Sequence, residues 1–203
     1  LVDTGSNILW IAGKNCKKCQ GVINKFDESL SSSYRNLSIP IKILYVTGST
    51  EGYLGYEDFY LGKTYLENLK FLLSYNSGTE MDSDGILGLG NNYYLNSDSL
   101  SLIDQLFLQK KIKRRIFTIK LDAENDKGIL SIGDIPEEIK NNNRNLTNKN
   151  YGKCSAVKKS KRGNPNISWE CILDQFFFGE DLNNSIAIQD RVNFDSGTNI
   201  IFV

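Results

Sequence analysis

The sequence contains no histidine among its 203 residues. Without imidazole the chain holds no Ser-His or Cys-His nucleophile pair, no histidine metal ligand and no histidine proton shuttle. Any catalysis falls to carboxylates, lysine, tyrosine, hydroxyls or thiols. Net charge is absent as well: 24 lysines and arginines balance 24 aspartates and glutamates. That balance excludes a general nucleic-acid binder, which carries a basic excess. No apolar run approaches the roughly 18 residues of a membrane-spanning helix. No secretory h-region opens the chain, which starts at Leu1 rather than methionine. It begins and stops in apolar stretches, with Ile200-Ile201-Phe202-Val203 at the end. A fragment of a longer protein is expected.

What is present suffices for a core: 40 % of residues are hydrophobic and 11 % aromatic. The length allows one large domain or two small ones. Four cysteines occur, Cys16 and Cys19 as C-K-K-C, and Cys154 and Cys171 far apart. The spacing of the second pair does not fit paired zinc knuckles. The flanks of C-K-K-C lack a thioredoxin-like βαβ pattern. Two structural disulfides in an oxidising compartment are expected. Sequons at Asn36, Asn145, Asn166 and Asn183 are compatible with secretion.

The first 133 residues read mainly as β. Residues 8–12 form a short apolar run. Residues 39–46 and 50–61 flank Thr47-Gly48-Ser49 and read as a hairpin. Residues 65–75 and 86–90 are further strand candidates, the second glycine-rich and suited to close backbone approach. One helix is expected over residues 99–111, with Leu102, Ile103, Leu106 and Phe107 on one face. Asp98 or Ser99 would cap it, and Lys110 and Lys111 suit its end. A second hairpin is expected from 116–121 and 128–132. Residues 141–150 and the basic run 158–162 read as exposed loops. Strand-like runs return at 167–173, 175–178 and 185–194.

One signature repeats at long range. Leu1-Val2-Asp3-Thr4-Gly5-Ser6 and Asn193-Phe194-Asp195-Ser196-Gly197-Thr198 both read apolar-Asp-hydroxyl-Gly-hydroxyl. A single copy would be an ordinary Asx-type turn after a strand. Two copies suggest a pair. In each, the aspartate sits where a strand ends, and the next hydroxyl can hydrogen-bond backbone across the pair. Glycine lets a second backbone approach the carboxylate without a Cβ clash. The last Ser or Thr can donate to the outer carboxylate oxygen. Two such loops face to face would bring their carboxylates within about 3 Å. They cannot both ionise easily there, so they share one proton.

On these residues the chain resembles the pepsin-like aspartic proteases, whose dyad is the standing example of that shared proton. Asn7-Ile8-Leu9-Trp10 is similar to the family's D-T-G-S-x-N-L-W, with the asparagine displaced by one. Cys16 and Cys19 resemble the small disulfide loop that follows. Tyr45-Val46-Thr47-Gly48-Ser49 looks like the flap tip. Asp84-Gly85-Ile86-Leu87-Gly88-Leu89 is similar to the family's D-G-I-L-G-L. Trp169 followed by Asp174 resembles W-x-x-x-L-D of the second lobe. Val46 and the asparagine- and lysine-rich loops lean towards the plasmepsin branch of protozoan parasites.

The resemblance implies an all-β, bilobal fold, incomplete at both ends. Residues 1–134 would form the N-terminal lobe and 135–203 part of the C-terminal lobe. It implies an aspartic endopeptidase acting at acidic pH, made as a zymogen, with no metal and no cofactor. Asp3 and Asp195 would be catalytic, supported by Thr4, Gly5, Ser6, Ser196, Gly197 and Thr198. Tyr45, Val46 and Thr47 would close over substrate. Trp10 would hydrogen-bond Tyr45, and Ile86 would line the pocket beside the scissile bond. Cys16, Cys19, Cys154 and Cys171 would form disulfides. Asp84 would be architectural. Ser83 departs from the family's common phenylalanine, and Asn199 from its serine. The implied partner is a protein or peptide substrate, with no nucleic acid and no membrane span. A monomer in the secretory pathway, an acidic vacuole or the exterior is implied. The competing class is a pepsin-like homologue that binds peptides or proteins without cutting them. Loss of either aspartate would point there, and both are intact.

Overall fold

The computed structural model describes residues 1–78, 83–91, 100–122, 124–137, 168–177 and 185–198. Its main body is a six-stranded sheet of β1 (Val2–Asp3), β2 (Trp10–Lys17), β3 (Arg35–Tyr45), β4 (Gly48–Leu61), β5 (Thr64–Ser77) and β6 (Gly85–Gly88). Their lateral order is β1-β6-β2-β5-β4-β3. The long strands β3, β4 and β5 form an antiparallel meander. Parallel pairing of β2 with β5 and of β1 with β6 brings the chain start against the sheet. A short helix α1 (Leu102–Leu108) follows. Two hairpins complete the described residues: β7 (Phe117–Asp122) with β8 (Lys127–Ile132), and β9 (Glu170–Phe177) with β10 (Ser185–Asn193). The all-β expectation with a minor helix stands.

Side-chain alternation explains why the sheet has two occupied faces. On one face Phe71 and Leu73 join Leu9, Leu66, Leu69, Leu102 and Leu106 in one cluster. On the other, Leu72 joins Trp10, Leu54 and Ile86, with Ile41, Ile43 and Tyr45 packed against them. The period-two spacing of Ile41, Ile43 and Tyr45 fixes the register of β3. A one-residue slip would turn all three to solvent. Helix α1 is tied to β5 by Gln105, whose side chain accepts from Lys70 N at 2.7 Å and donates to Lys70 O at 2.9 Å. The buried Asp104 carboxylate accepts from Arg115 Nη1 at 2.9 Å. That bond anchors the segment after the helix.

Several boundaries differ from expectation. The hairpin turn is Val46–Thr47, because Tyr45 pairs directly with Gly48 and Leu44 with Ser49. The first long strand starts at Trp10 and runs on to Lys17. The helix starts at Leu102, later than expected, with Ser101 at its N-cap and no side-chain capping bond. Asp98 and Ser99 lie outside the described residues. The runs expected at 167–173 and 175–178 are one strand, β9. The irregularity falls on its partner, where the register shifts between Ala187 and Asp190. Cys154, Asn199, the sequons at Asn145, Asn166 and Asn183, and the loops 141–150 and 158–162 also lie outside the described residues.

Candidate active site

Asp3 ends β1, and Asp195 stands two residues beyond the end of β10. Pairing with β6 sets the first loop: Leu89 N donates to Asp3 O at 2.7 Å, and Gly90 N to Ser6 O at 2.6 Å. The second loop is set by β9, since Phe194 N donates to Trp169 O at 3.0 Å. Trp169 in turn donates its indole Nε1–H to Leu89 O at 2.8 Å. One side chain thus bridges the strand ends behind both loops.

The loops lock reciprocally. Thr4 N donates to Ser196 Oγ at 3.1 Å, and Ser196 N donates to Thr4 Oγ1 at 2.9 Å. Each hydroxyl then donates one residue upstream of the opposite aspartate. Thr4 Oγ1 donates to Phe194 O at 2.8 Å, and Ser196 Oγ to Val2 O at 2.9 Å. Within each loop the glycine N–H donates back to its own aspartate, Gly5 N to Asp3 Oδ1 and Gly197 N to Asp195 Oδ1, both at 2.8 Å.

The glycines also face across the pair. A Cβ on Gly5 would lie 2.5 Å from Asp195 Oδ2, and a Cβ on Gly197 would lie 2.5 Å from Asp3 Oδ1. Each carboxylate therefore rests on the opposite loop's backbone, where only glycine fits. The two carboxyl groups lie close together, since a Cβ on Gly197 would meet both Asp3 Oδ1 and Asp195 Oδ1. Burial raises the Asp195 carboxyl above its ordinary range, and the nearby Asp3 carboxylate pushes the same way. The backbone N–H groups of Gly197 and Gly5 oppose the shift without cancelling it.

The pair is not fully symmetric. Ser6 Oγ donates to Asp3 Oδ2 at 2.5 Å. Among the described residues, its counterpart Thr198 makes only a backbone bond, N to Asp195 O at 3.4 Å. The hydroxyl expected on the outer oxygen of Asp195 is not placed there among the described residues. Asp3 is 5 % exposed, while Asp195 is half-buried.

Above the pair stands the β3–β4 hairpin. Trp10 Nε1 donates to Tyr45 Oη at 2.8 Å. Trp10 is thus tied to Tyr45, and Ser6 to Asp3. Burial pushes the Tyr45 phenol up to about 12. Val46 projects from the tip at 96 % exposure. Ile86 does not line an open surface: it is 3 % exposed and packs with Trp10, Leu54 and Leu72.

Cys16 and Cys19 are joined as a disulfide. The second expected pair includes Cys154, outside the described residues; Cys171 is buried. Asp84 clamps the loop after the first disulfide. It accepts from Ile23 N at 2.8 Å, Asn24 N at 2.9 Å and Asn24 Nδ2 at 2.8 Å. Sequence reasoning did not find this clamp, since nothing in residues 18–25 signals a partner for Asp84. Ser83 Oγ donates to Gly85 O at 3.1 Å.

The chain is similar to known proteins. The pattern of the family described as eukaryotic aspartyl protease matches residues 1–203. Camel (Camelus dromedarius) chymosin is 32 % identical over 139 residues, covering 66 % of this chain and 36 % of its own length. Rabbit (Oryctolagus cuniculus) pepsin II-2/3 is 30 % identical over 135 residues, covering 64 % of this chain and 35 % of its own. Dog (Canis lupus familiaris) pepsin A is 30 % identical over 155 residues, covering 71 % and 39 %. The chain therefore spans little more than a third of the length of these relatives. The family match over the whole chain decides the assignment: the chain belongs to the eukaryotic aspartyl proteases.

Proposed function

We propose that the protein is an aspartic endopeptidase that hydrolyses peptide bonds with a water activated between Asp3 and Asp195. The observation that carries this reading is the crossed packing, in which each loop's glycine lies against the other loop's carboxylate. Asp195, whose carboxyl is raised, holds the shared proton and donates it towards the scissile carbonyl oxygen. Asp3 accepts a proton from the water. The water oxygen attacks the carbonyl carbon, and a gem-diol forms. The proton then passes to the amide nitrogen, the C–N bond breaks, and amine and acid leave. No covalent bond to the protein forms. Ser6 steadies Asp3, while Thr4 and Ser196 hold the two loops at a fixed spacing.

The raised carboxyl also supports an acidic optimum. Activity requires Asp195 protonated, so it is lost as pH rises through that raised value. Tyr45, Val46 and Thr47 form a flap over the substrate, held by the Trp10 bond. Residues 1–134 are one lobe and 135–203 part of the second. The Cys16–Cys19 disulfide supports an oxidising, secretory compartment. The Val46 tip supports the plasmepsin branch, and family kinship supports synthesis as a zymogen.

The test is expression of the full-length zymogen with Asp3→Ala and Asp195→Ala variants, assayed on peptides from about pH 3 to pH 7. Cleavage by the wild type alone is expected. Undiminished cleavage by either variant sinks the dyad. Peptide binding by an inactive wild type favours a binding protein instead.

A further inference from the structure

A surface groove of about 480 Å³ lies at the end of α1, lined by Phe107, Leu108, Lys110, Ile112 and Lys113. Three of these residues are apolar and two are lysines. Leu108 is 44 % exposed, and Ile112 packs against the cluster containing Phe71 and Leu73. That cluster fills the face of the sheet opposite Trp10 and Tyr45. The groove is thus remote from the flap side.

The two lysines belong to a dense basic stretch. Five of the six residues from Lys110 to Arg115 are lysine or arginine, in a chain whose charges balance overall. Two of these are tied down, Arg114 to Asp134 and Arg115 to Asp104. Among the described residues, Lys110, Lys111 and Lys113 make no ion pair. All three are exposed.

The backbone adds a second observation. Lys111 N donates to Leu106 O at 2.9 Å and Lys110 N to Phe107 O at 3.0 Å. Those two bonds make a Schellman cap, in which the residue after the C-cap turns left-handed. Glycine is the usual occupant, because a side chain there is strained. Here it is Lys110, at φ 58°. Lys110 is one of five non-glycine residues with positive φ among the described residues, and the one that lines the groove. What Lys110 contributes is an ammonium group at the groove.

We propose that this groove docks an acidic peptide segment of a partner protein, with one large apolar side chain seated between Lys110 and Lys113. Charge complementarity selects the acid. A hollow of about 480 Å³ takes a side chain of a peptide. Binding buries the side chain on Phe107, Leu108 and Ile112, and carboxylates flank it.

The test uses the full-length protein carrying Asp195→Asn, so that no cleavage intervenes. The probe is a fluorescein-labelled Glu-Glu-Phe-Glu-Asp-Glu peptide, read by anisotropy. Saturable binding that weakens with added salt is expected. Lys110→Glu with Lys113→Glu should weaken it about tenfold or more. An alanine in place of the probe's phenylalanine should weaken it too. Lys110→Gly should raise the thermal midpoint while weakening the probe, a split that a purely structural lysine would not give. No binding, equal affinity in the charge-reversed variant, or binding to phosphatidylserine vesicles instead of the peptide would overturn the proposal.

Discussion

Replacing Gly5 or Gly197 by alanine tests the site's construction most directly. A Cβ at either position would lie 2.5 Å from a carboxylate oxygen of the other loop, about 0.9 Å short of an ordinary contact at 3.4 Å. Neither glycine has a left-handed φ, so alanine strains no backbone torsion, and the contact alone is at stake. Something must move by most of an ångström. The carboxylates cannot retreat freely, since each accepts its own loop's glycine N–H at 2.8 Å. The loops cannot part freely, since Thr4 and Ser196 join them through four hydrogen bonds. A misplacement of this size costs catalysis about a hundredfold, near 2.7 kcal/mol of barrier. Gly5→Ala displaces Asp195 and Gly197→Ala displaces Asp3, so each variant should lose about this much kcat. The assay is steady-state hydrolysis of a fluorogenic peptide by the activated full-length enzyme, with circular dichroism to verify folding. A folded variant with kcat within about twofold of wild type would refute the crossed packing as the determinant of carboxylate placement.

Three further outcomes are expected. Thr4→Val keeps the shape but leaves Phe194 O and Ser196 N without their partner; a loss of about 2–4 kcal/mol in urea unfolding follows. Tyr45→Phe removes the acceptor of the Trp10 indole, which is 1 % exposed. Stability should fall by about 1–3 kcal/mol, and kcat should fall because the flap loses its tether. Asp84 titrates below its ordinary value, held there mainly by the Asn24 backbone N–H and side chain and then by Ile23 N. Its contribution to stability is complete above the unfolded value near 3.8 and lost as pH falls through the lower folded value. Asp84→Asn should therefore lower the thermal midpoint at neutral pH and converge on wild type in strong acid.

The elements legible in the sequence are those whose pattern is local. Ile41, Ile43 and Tyr45 alternate towards one face, and a polar turn follows, so the β3–β4 turn was expected within a residue or two of where it lies, although β3 starts at Arg35, four residues before the expected start. The β7–β8 hairpin was legible for the same reason. The helix start was misplaced because Ser101 caps without a side-chain bond and leaves no capping signature to read. The interruption at Asp174 suggested two strands. The ladder instead keeps β9 whole and puts the bulge in β10. At the site, duplication of the motif made the pairing of Asp3 with Asp195 legible. The missing Thr198 hydroxyl bond, the burial of Ile86 and the Asp84 clamp depend on loop geometry that no period encodes. Lys110 looked like an ordinary favourable C-terminal charge, and only its φ shows otherwise.

The reciprocal lock between Thr4 and Ser196 spans 192 positions of sequence, and this has a consequence in time. The β3–β4–β5 meander can form from neighbouring segments, but the dyad joins residues 192 positions apart. Long loops close late, because their ordering entropy precedes any reward. Ribosomes extend a chain at about 5–20 residues per second, so some 10–40 s separate emergence of Asp3 from emergence of Asp195. Throughout that interval the first carboxylate has no partner and no opposing glycine. The nascent chain is therefore born without its acid pair, and the pair appears only when the two distant loops meet.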